Sequence, residues 1–160
     1  MKKMFFVSIL IIAACLCAFA QDEKNMAAGL GAENNMNARK MFAGGLVLSF
    51  DYNLPVSATP LAVGFAVSGS NNFNDTTVME FAALFRWYFP GKEHQGWFAQ
   101  AEAGYSLISE EGNNNLPLPV LAGLRTGYRL PLGSSFFVEP CARFGYSFFF
   151  GVGVTSGMRF

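Results

Sequence analysis

The feature that most constrains this chain is an apolar–polar alternation of period two that returns in segment after segment. Outside the N-terminus no apolar run is long enough to form a transmembrane helix. From Met41 to Tyr52, Phe42, Leu46, Leu48, Phe50 and Tyr52 share one face, while Ala43, Gly45, Ser49 and Asp51 share the other. From Val78 to Phe89, Met79, Phe81, Phe85, Trp87 and Phe89 oppose Glu80, Ala82, Arg86 and Tyr88. From Trp97 to Ile108, Trp97, Tyr105, Leu107 and three alanines oppose Gln100, Glu102, Gly104 and Ser106. The same parity puts Arg125 and Arg129 on the polar face of Val120–Leu130, Glu139 and Arg143 on that of Phe136–Phe148, and Arg159 on that of Val152–Phe160. Successive side chains of a strand point to opposite faces, so each segment reads as a strand with one apolar wall and one small or polar wall. Helices find no support, because Gly and Pro recur throughout and the apolar spacing is two. With a gentler segment at Leu61–Ser70 and a weak first one at Met26–Glu33, the chain carries eight strands.

The N-terminus has a different character. Lys2 and Lys3 precede an apolar run from Met4 to Cys17, followed by Ala18-Phe19-Ala20 and then the polar Gln21-Asp22-Glu23, which is the layout of a secretory signal peptide. Residues 1–20 are therefore set apart from the fold, and residues 21–160 form one domain. Ile12-Ala13-Ala14-Cys15 offers a competing lipoprotein reading, with Cys15 acylated. After cleavage at Ala20 only Cys141 survives, which excludes an internal disulfide and a cysteine metal cluster. Without Lys2 and Lys3, nine basic residues face eleven acidic ones, and that balance gives no electrostatic case for nucleic acid.

The connections alternate between two kinds. Asn34–Asn37, Asn71–Asn74 and Asn113–Asn115 form an Asn-rich set; between them lie Asn53–Pro60, Pro90–Gly96 and Pro131–Ser134, rich in Pro and Gly. In an up-and-down meander every second connection lies at the same end, so the Asn-rich set is expected to face outward and the other set the periplasm. Phe148–Gly151 has no polar residue and reads as a tight interfacial turn. Pro140 falls inside a strand, where it removes a ladder donor, and a bulge is expected there.

Alternation does not say which face is inside. The strands carry Arg, Glu and Asp but no Lys, since Lys24, Lys40 and Lys92 fall outside them, whereas a water-facing sheet ordinarily scatters Lys. Packing every large aromatic of the apolar face into an eight-stranded lumen would overfill it, while Gly, Ala, Ser and a few charges fit. The expected architecture is thus an all-β, eight-stranded antiparallel up-and-down transmembrane β-barrel with its apolar face toward lipid.

Phe160 closes the chain with an aromatic on that lipid face. In this the chain resembles the small eight-stranded outer-membrane barrels typified by the membrane domain of outer membrane protein A and by outer membrane protein X. Thr155 and Met158 stand where that family favours glycine and an aromatic. The resemblance covers the mature chain and implies a bacterial outer-membrane location, outer-membrane lipid as surroundings, and Phe160 as the signal read by the barrel-assembly machinery. It implies no peptidoglycan-binding role.

The residues singled out for mechanism are the lumen charges Asp51, Glu80, Arg86, Glu102, Arg125, Arg129, Glu139, Arg143 and Arg159. Charges in a narrow lumen are costly unless paired, so they read as Arg–carboxylate pairs that plug the barrel. The expected role is structural or surface-interacting. The alternatives are a narrow channel or apolar-solute conduit, and a soluble periplasmic ligand-binding barrel. An enzyme is not expected: the single histidine, His94, lies in a turn without serine and reads as solvated. No cofactor or metal set is apparent, since Gly29-Leu30-Gly31 precedes no helix, and Cys141 reads as a buried structural thiol.

Overall fold

A computed structural model of the chain describes residues 25–37, 42–55, 60–72, 76–89, 94–110 and 119–160. The signal-peptide segment with Cys15, the three mature lysines and Asn113–Asn115 lie outside the described residues. Eight strands run β1 (Met26–Met36), β2 (Phe42–Asn53), β3 (Leu61–Asn71), β4 (Thr76–Tyr88), β5 (Gly96–Glu110), β6 (Val120–Leu132), β7 (Phe136–Tyr146) and β8 (Phe150–Arg159). Each pairs antiparallel with its neighbours in sequence, and β1 pairs with β8, so the sheet closes into an up-and-down barrel. The connections β1–β2, β3–β4, β5–β6 and β7–β8 share one end, here the loop end. Asn25, Phe160 and the other three connections share the terminal end.

The register fixes the shape. Met26 pairs with Tyr52, and the rungs then lead through Val63, Phe85, Ala101, Leu124, Phe144 and Phe150 to Met36. The walk returns to β1 ten residues from its start, a stagger that requires strands tilted by roughly 35–45° to the axis.

The polarity is as the alternation demands. Phe42, Leu46, Phe65, Phe85, Trp97, Leu124 and Val154 are exposed, whereas all nine charges named from the sequence are buried. The interior is narrow enough to require glycine at the β1–β8 seam. A Cβ at Gly29 would lie 2.6 Å from the Thr155 methyl, and one at Gly157 would lie 2.5 Å from the Phe137 ring, so both volumes are already filled. Three apolar clusters layer the lumen. Ala43, Val78 and Phe148 cap the loop end, Val47, Ala66, Ala82, Leu84 and Leu121 lie between, and Ala62, Tyr88 and Phe98 pack at the terminal end.

Four local expectations change. β1 runs through Asn34 and Asn35 to Met36 rather than stopping at Glu33, because β2 and β8 supply partners on both sides. Pro131 is in strand and pairs with Phe137, so the β6–β7 turn narrows to Gly133–Ser135, with Gly133 at φ 71°. No bulge forms at Pro140. Gly127↔Cys141 and Leu130↔Val138 belong to one unbroken register, and pairing lapses only at the two rungs between them, while Pro140 stays paired with Val154 of β8. The donor that proline lacks is thus one that would have faced β6, and a local lapse satisfies it without an inserted residue. The final turn is tight, as expected, but lies two residues earlier, between Tyr146 and Phe150, with Phe148 folded into the lumen.

Candidate functional site: the charged lumen

The tilt of the strands brings inward charges from distant segments to common heights, in two layers. In the layer nearer the terminal end, Arg129 bridges two acids: Nη2 donates to Asp51 Oδ2 at 2.8 Å and Nε to Glu139 Oε2 at 2.7 Å. Arg86 grips Glu139 with both terminal nitrogens, at 2.9 and 3.0 Å, and reaches Asp51 at 3.5 Å. Aromatic faces close over both cations. The guanidinium carbon of Arg86 sits 4.2 Å from the Phe98 ring centre and that of Arg129 sits 4.2 Å from the Phe137 ring centre. Tyr88 stands between them and accepts from Arg86 at 3.2 Å. A guanidinium stacked on an aromatic face and ion-paired at its edge is well compensated for leaving water.

The layer nearer the loop end is built differently. Arg125 donates from Nε to Glu102 at 2.6 Å and from Nη1 to Glu33. Arg143 donates to Glu80 at 2.7 Å and lies 3.6 and 3.7 Å from Glu33 and Glu102. Hydroxyls complete the shell. Ser68 and Ser147 donate to Glu80 at 3.0 and 3.1 Å, and Ser147 contacts Ser106 at 2.6 Å. Cys141 faces this layer as expected, with its sulfur 3.4 Å from Arg125 Nη1.

A single amide joins the layers. Gln100 accepts from Arg86 Nε at 2.6 Å and donates to Glu102 at 2.8 Å, so a hydrogen-bonded path runs from Asp51 to Glu33, and the longer ion pairs of Arg143 to Glu33 and Glu102 carry the network on to Glu80. Within the loop-end layer a cavity of about 10 Å³ lies beside Glu80, Glu102, Arg125 and Arg143.

Eight of the nine residues named from the sequence join this network. The ninth, Arg159, is buried at the terminal end, where the Gln95 amide oxygen, once oriented to satisfy both groups, accepts from it at 2.8 Å. Sequence reasoning missed Glu33, Asn35 and Gln100. Glu33 closed the expected first strand on the parity of Gly29 and Gly31, which points inward, and extending β1 by three residues turns Asn35 inward as well. Gln100 was on the inward face, but an uncharged amide carries no pairing signal.

His94 is not the solvated turn residue expected. It adopts φ 55°, stands edge-on to the Tyr88 ring at 5.5 Å, and is half-buried at the terminal mouth. Burial holds its imidazole below the ordinary 6.5, opposed by a hydrogen bond at the Leu61 backbone and by Asp51. Phe160 packs against Phe50 on the outer wall at 6.4 Å, while its backbone and that of Met26 exchange two hydrogen bonds that complete the seam. Among the described residues no three His, Cys, Asp or Glu side chains are arranged to hold a metal.

The described residues thus form a closed eight-stranded up-and-down barrel with an apolar exterior and a charged, filled interior. Among solved structures the fold matches Neisserial surface protein A (NspA), with a TM-score of 0.62 over 84% of this chain and 94% of that one, at 11% sequence identity. No protein-family model matches the chain, and neither does any curated protein.

Proposed function

We propose that this chain is an integral protein of the bacterial outer membrane whose lumen is closed by the ion-pair network, and which serves as a rigid frame presenting its Asn-rich connections at the cell surface. The observation that carries this reading is the network of ion pairs and hydrogen bonds from Asp51 to Glu80, together with a cavity of only about 10 Å³ at the level of Glu80, Glu102, Arg125 and Arg143, near the minimum that holds one water. The outer wall supports the membrane setting. A soluble barrel would have to keep Phe42, Leu46, Leu124 and Trp97, each more than 60% exposed, in contact with water. That the structure matched is of a Neisserial surface protein accords with a surface role. Phe160 is proposed as the residue read by the assembly machinery, and outer-membrane lipid as the solvent of the wall.

The test is single-channel conductance of the purified protein in planar bilayers, beside an Arg125→Ala/Arg143→Ala variant. The plug requires insertion without steady current in the native chain and the appearance of current in the variant. Steady native current would replace the plug with a narrow conduit, and failure to insert would revive the soluble barrel.

A further inference from the structure

The loop-end mouth of the barrel holds a pocket that the ion-pair network does not use. Its floor is the apolar cluster of Ala43, Val78 and Phe148 with Ile108 packed against it, and the pocket over that floor measures about 80 Å³. One water needs roughly 10–15 Å³ on this measure, so the pocket has room for roughly half a dozen. The last turn builds the floor. By folding inward, Phe148 sets its ring against both the pocket and Arg143 of the layer beneath, whose guanidinium carbon lies 5.8 Å from the ring centre.

The rest of the lining is polar and, among the described residues, uncharged: Asn37, Asn72, Thr76 and Ser147. These groups are fixed in place. Asn72 Oδ1 accepts from the Thr76 backbone N–H at 3.0 Å, the Asn72 backbone N–H donates to the Thr76 carbonyl at 3.2 Å, and Ser147 donates to Glu80 at 3.1 Å. A side-chain amide carries two donors and a two-lone-pair acceptor, and a hydroxyl carries one donor and two lone pairs, so a single partner leaves each with capacity for a ligand. An apolar bed bordered by a few placed polar groups is the usual form of a small-molecule site, and groups already held in position cost less to engage.

We infer that this pocket binds the terminal sugar ring of a neutral glycan. A pyranose is amphipathic, with C–H groups on its faces and hydroxyls around its edge. Its apolar face lies on the floor of Phe148 and Val78, and its edge hydroxyls reach Asn37, Asn72 and Thr76. The described lining offers a phosphate or carboxylate no cation. An aromatic side chain of a partner protein would suit the floor but would cover the polar rim without bonding to it, which is costly for buried polar groups. The volume limits the guest to the buried side of one ring, with the rest of the glycan outside. The inference rests on the surface-presenting role proposed above, from which it takes the loop end as the outward one. Its test is separate: conductance judges the plug, titration in micelles judges the pocket, and either can fail alone.

Ile108 is the only isoleucine in residues 21–160, so a barrel labelled at the isoleucine δ methyl group carries a single reporter inside the pocket. Its NMR resonance is followed in micelles of a sugar-free detergent. The methyl glycosides of glucose, galactose, mannose and N-acetylglucosamine are titrated in turn, with p-cresol as the analogue of a tyrosine side chain. At least one glycoside should shift the resonance saturably in the millimolar range. Ala43→Leu, which fills the pocket from its floor, should remove the saturable shift. Asn37→Ala/Thr76→Val should weaken binding several-fold, and it carries the test if Ala43→Leu does not give the compact, fast-migrating form on a gel. The inference is overturned if no glycoside gives a saturable shift, or if the shift survives Ala43→Leu in a folded barrel. It is equally overturned if the rim variant binds as the native barrel does. Tighter binding of p-cresol than of every glycoside would also overturn it, and would assign the pocket to an aromatic side chain of a protein partner.

Discussion

The lower and upper halves of the plug solve one problem by different means. Near the terminal end, two arginines are clamped by two acids and roofed by Phe98, Phe137 and Tyr88, so charge, geometry and dry contact are all satisfied by the protein itself. Near the loop end the described residues set no ring over Arg125 and only Phe148, at 5.8 Å, over Arg143; the shell is made of hydroxyls, and the described acids outnumber the described cations. The difference teaches that burial of an arginine is not one kind of interaction. Where aromatics complete the shell the pair is rigid and sensitive to loss, and where hydroxyls do so the layer tolerates rearrangement.

The sharpest way to break that comparison is to remove a carboxylate from each half. Glu139→Gln strips the acceptor shared by Arg86 and Arg129 and should destabilise the barrel by about 3–5 kcal/mol in denaturant titration. Glu33→Gln, taken from the layer whose described acids outnumber its arginines, should cost less in the same titration. Equal losses would mean that the charge difference between the layers has no energetic meaning.

Phe98→Leu addresses the aromatic roof. It keeps an apolar side chain but removes the face over Arg86, and an unfolding loss of roughly 1–2 kcal/mol is expected, with no comparable site to mutate over Arg125. Gln100→Leu cuts the only amide described as joining the halves. It should cost about 1–2 kcal/mol by itself, and in a double-mutant cycle it should reduce the coupling between Arg86 and Arg125 variants to near zero.

The smallest effect expected is at His94. Its imidazole is held low in the folded chain, so as pH falls the unfolded chain takes up the proton first. This residue's contribution is complete above about 6.5 and declines as pH drops through that value. His94→Asn should flatten the decline in a stability profile between neutral and mildly acidic pH, and an unchanged profile would move the pH sensitivity elsewhere.

Legibility from the sequence followed the physics of each feature. Period two is a backbone property, so Phe42 to Tyr52 or Val78 to Phe89 disclosed strand, face and inward charges together. The overpacking argument then chose the outside correctly, as the exposed Leu46 and Phe65 attest. What could not be read was pairing across strands. That Arg125 meets Glu33, 92 positions away, depends on a ten-residue stagger that no local pattern encodes. Pro140 misled because a missing donor was equated with an inserted residue, when two lapsed rungs suffice.

The distribution of the network over the wall has one more consequence. Its charged members come from β1, β2, β4, β5, β6 and β7, and inside–outside parity is indifferent to a slip of two residues along a strand. Such a slip shifts a side chain by about 6–7 Å, enough to carry Glu139 or Arg125 past contacts of 2.6 and 2.7 Å. The interior therefore works as a combination lock on closure. A hydrophobic exterior would accept any even displacement of the strands, and only the correct one lets every bolt seat.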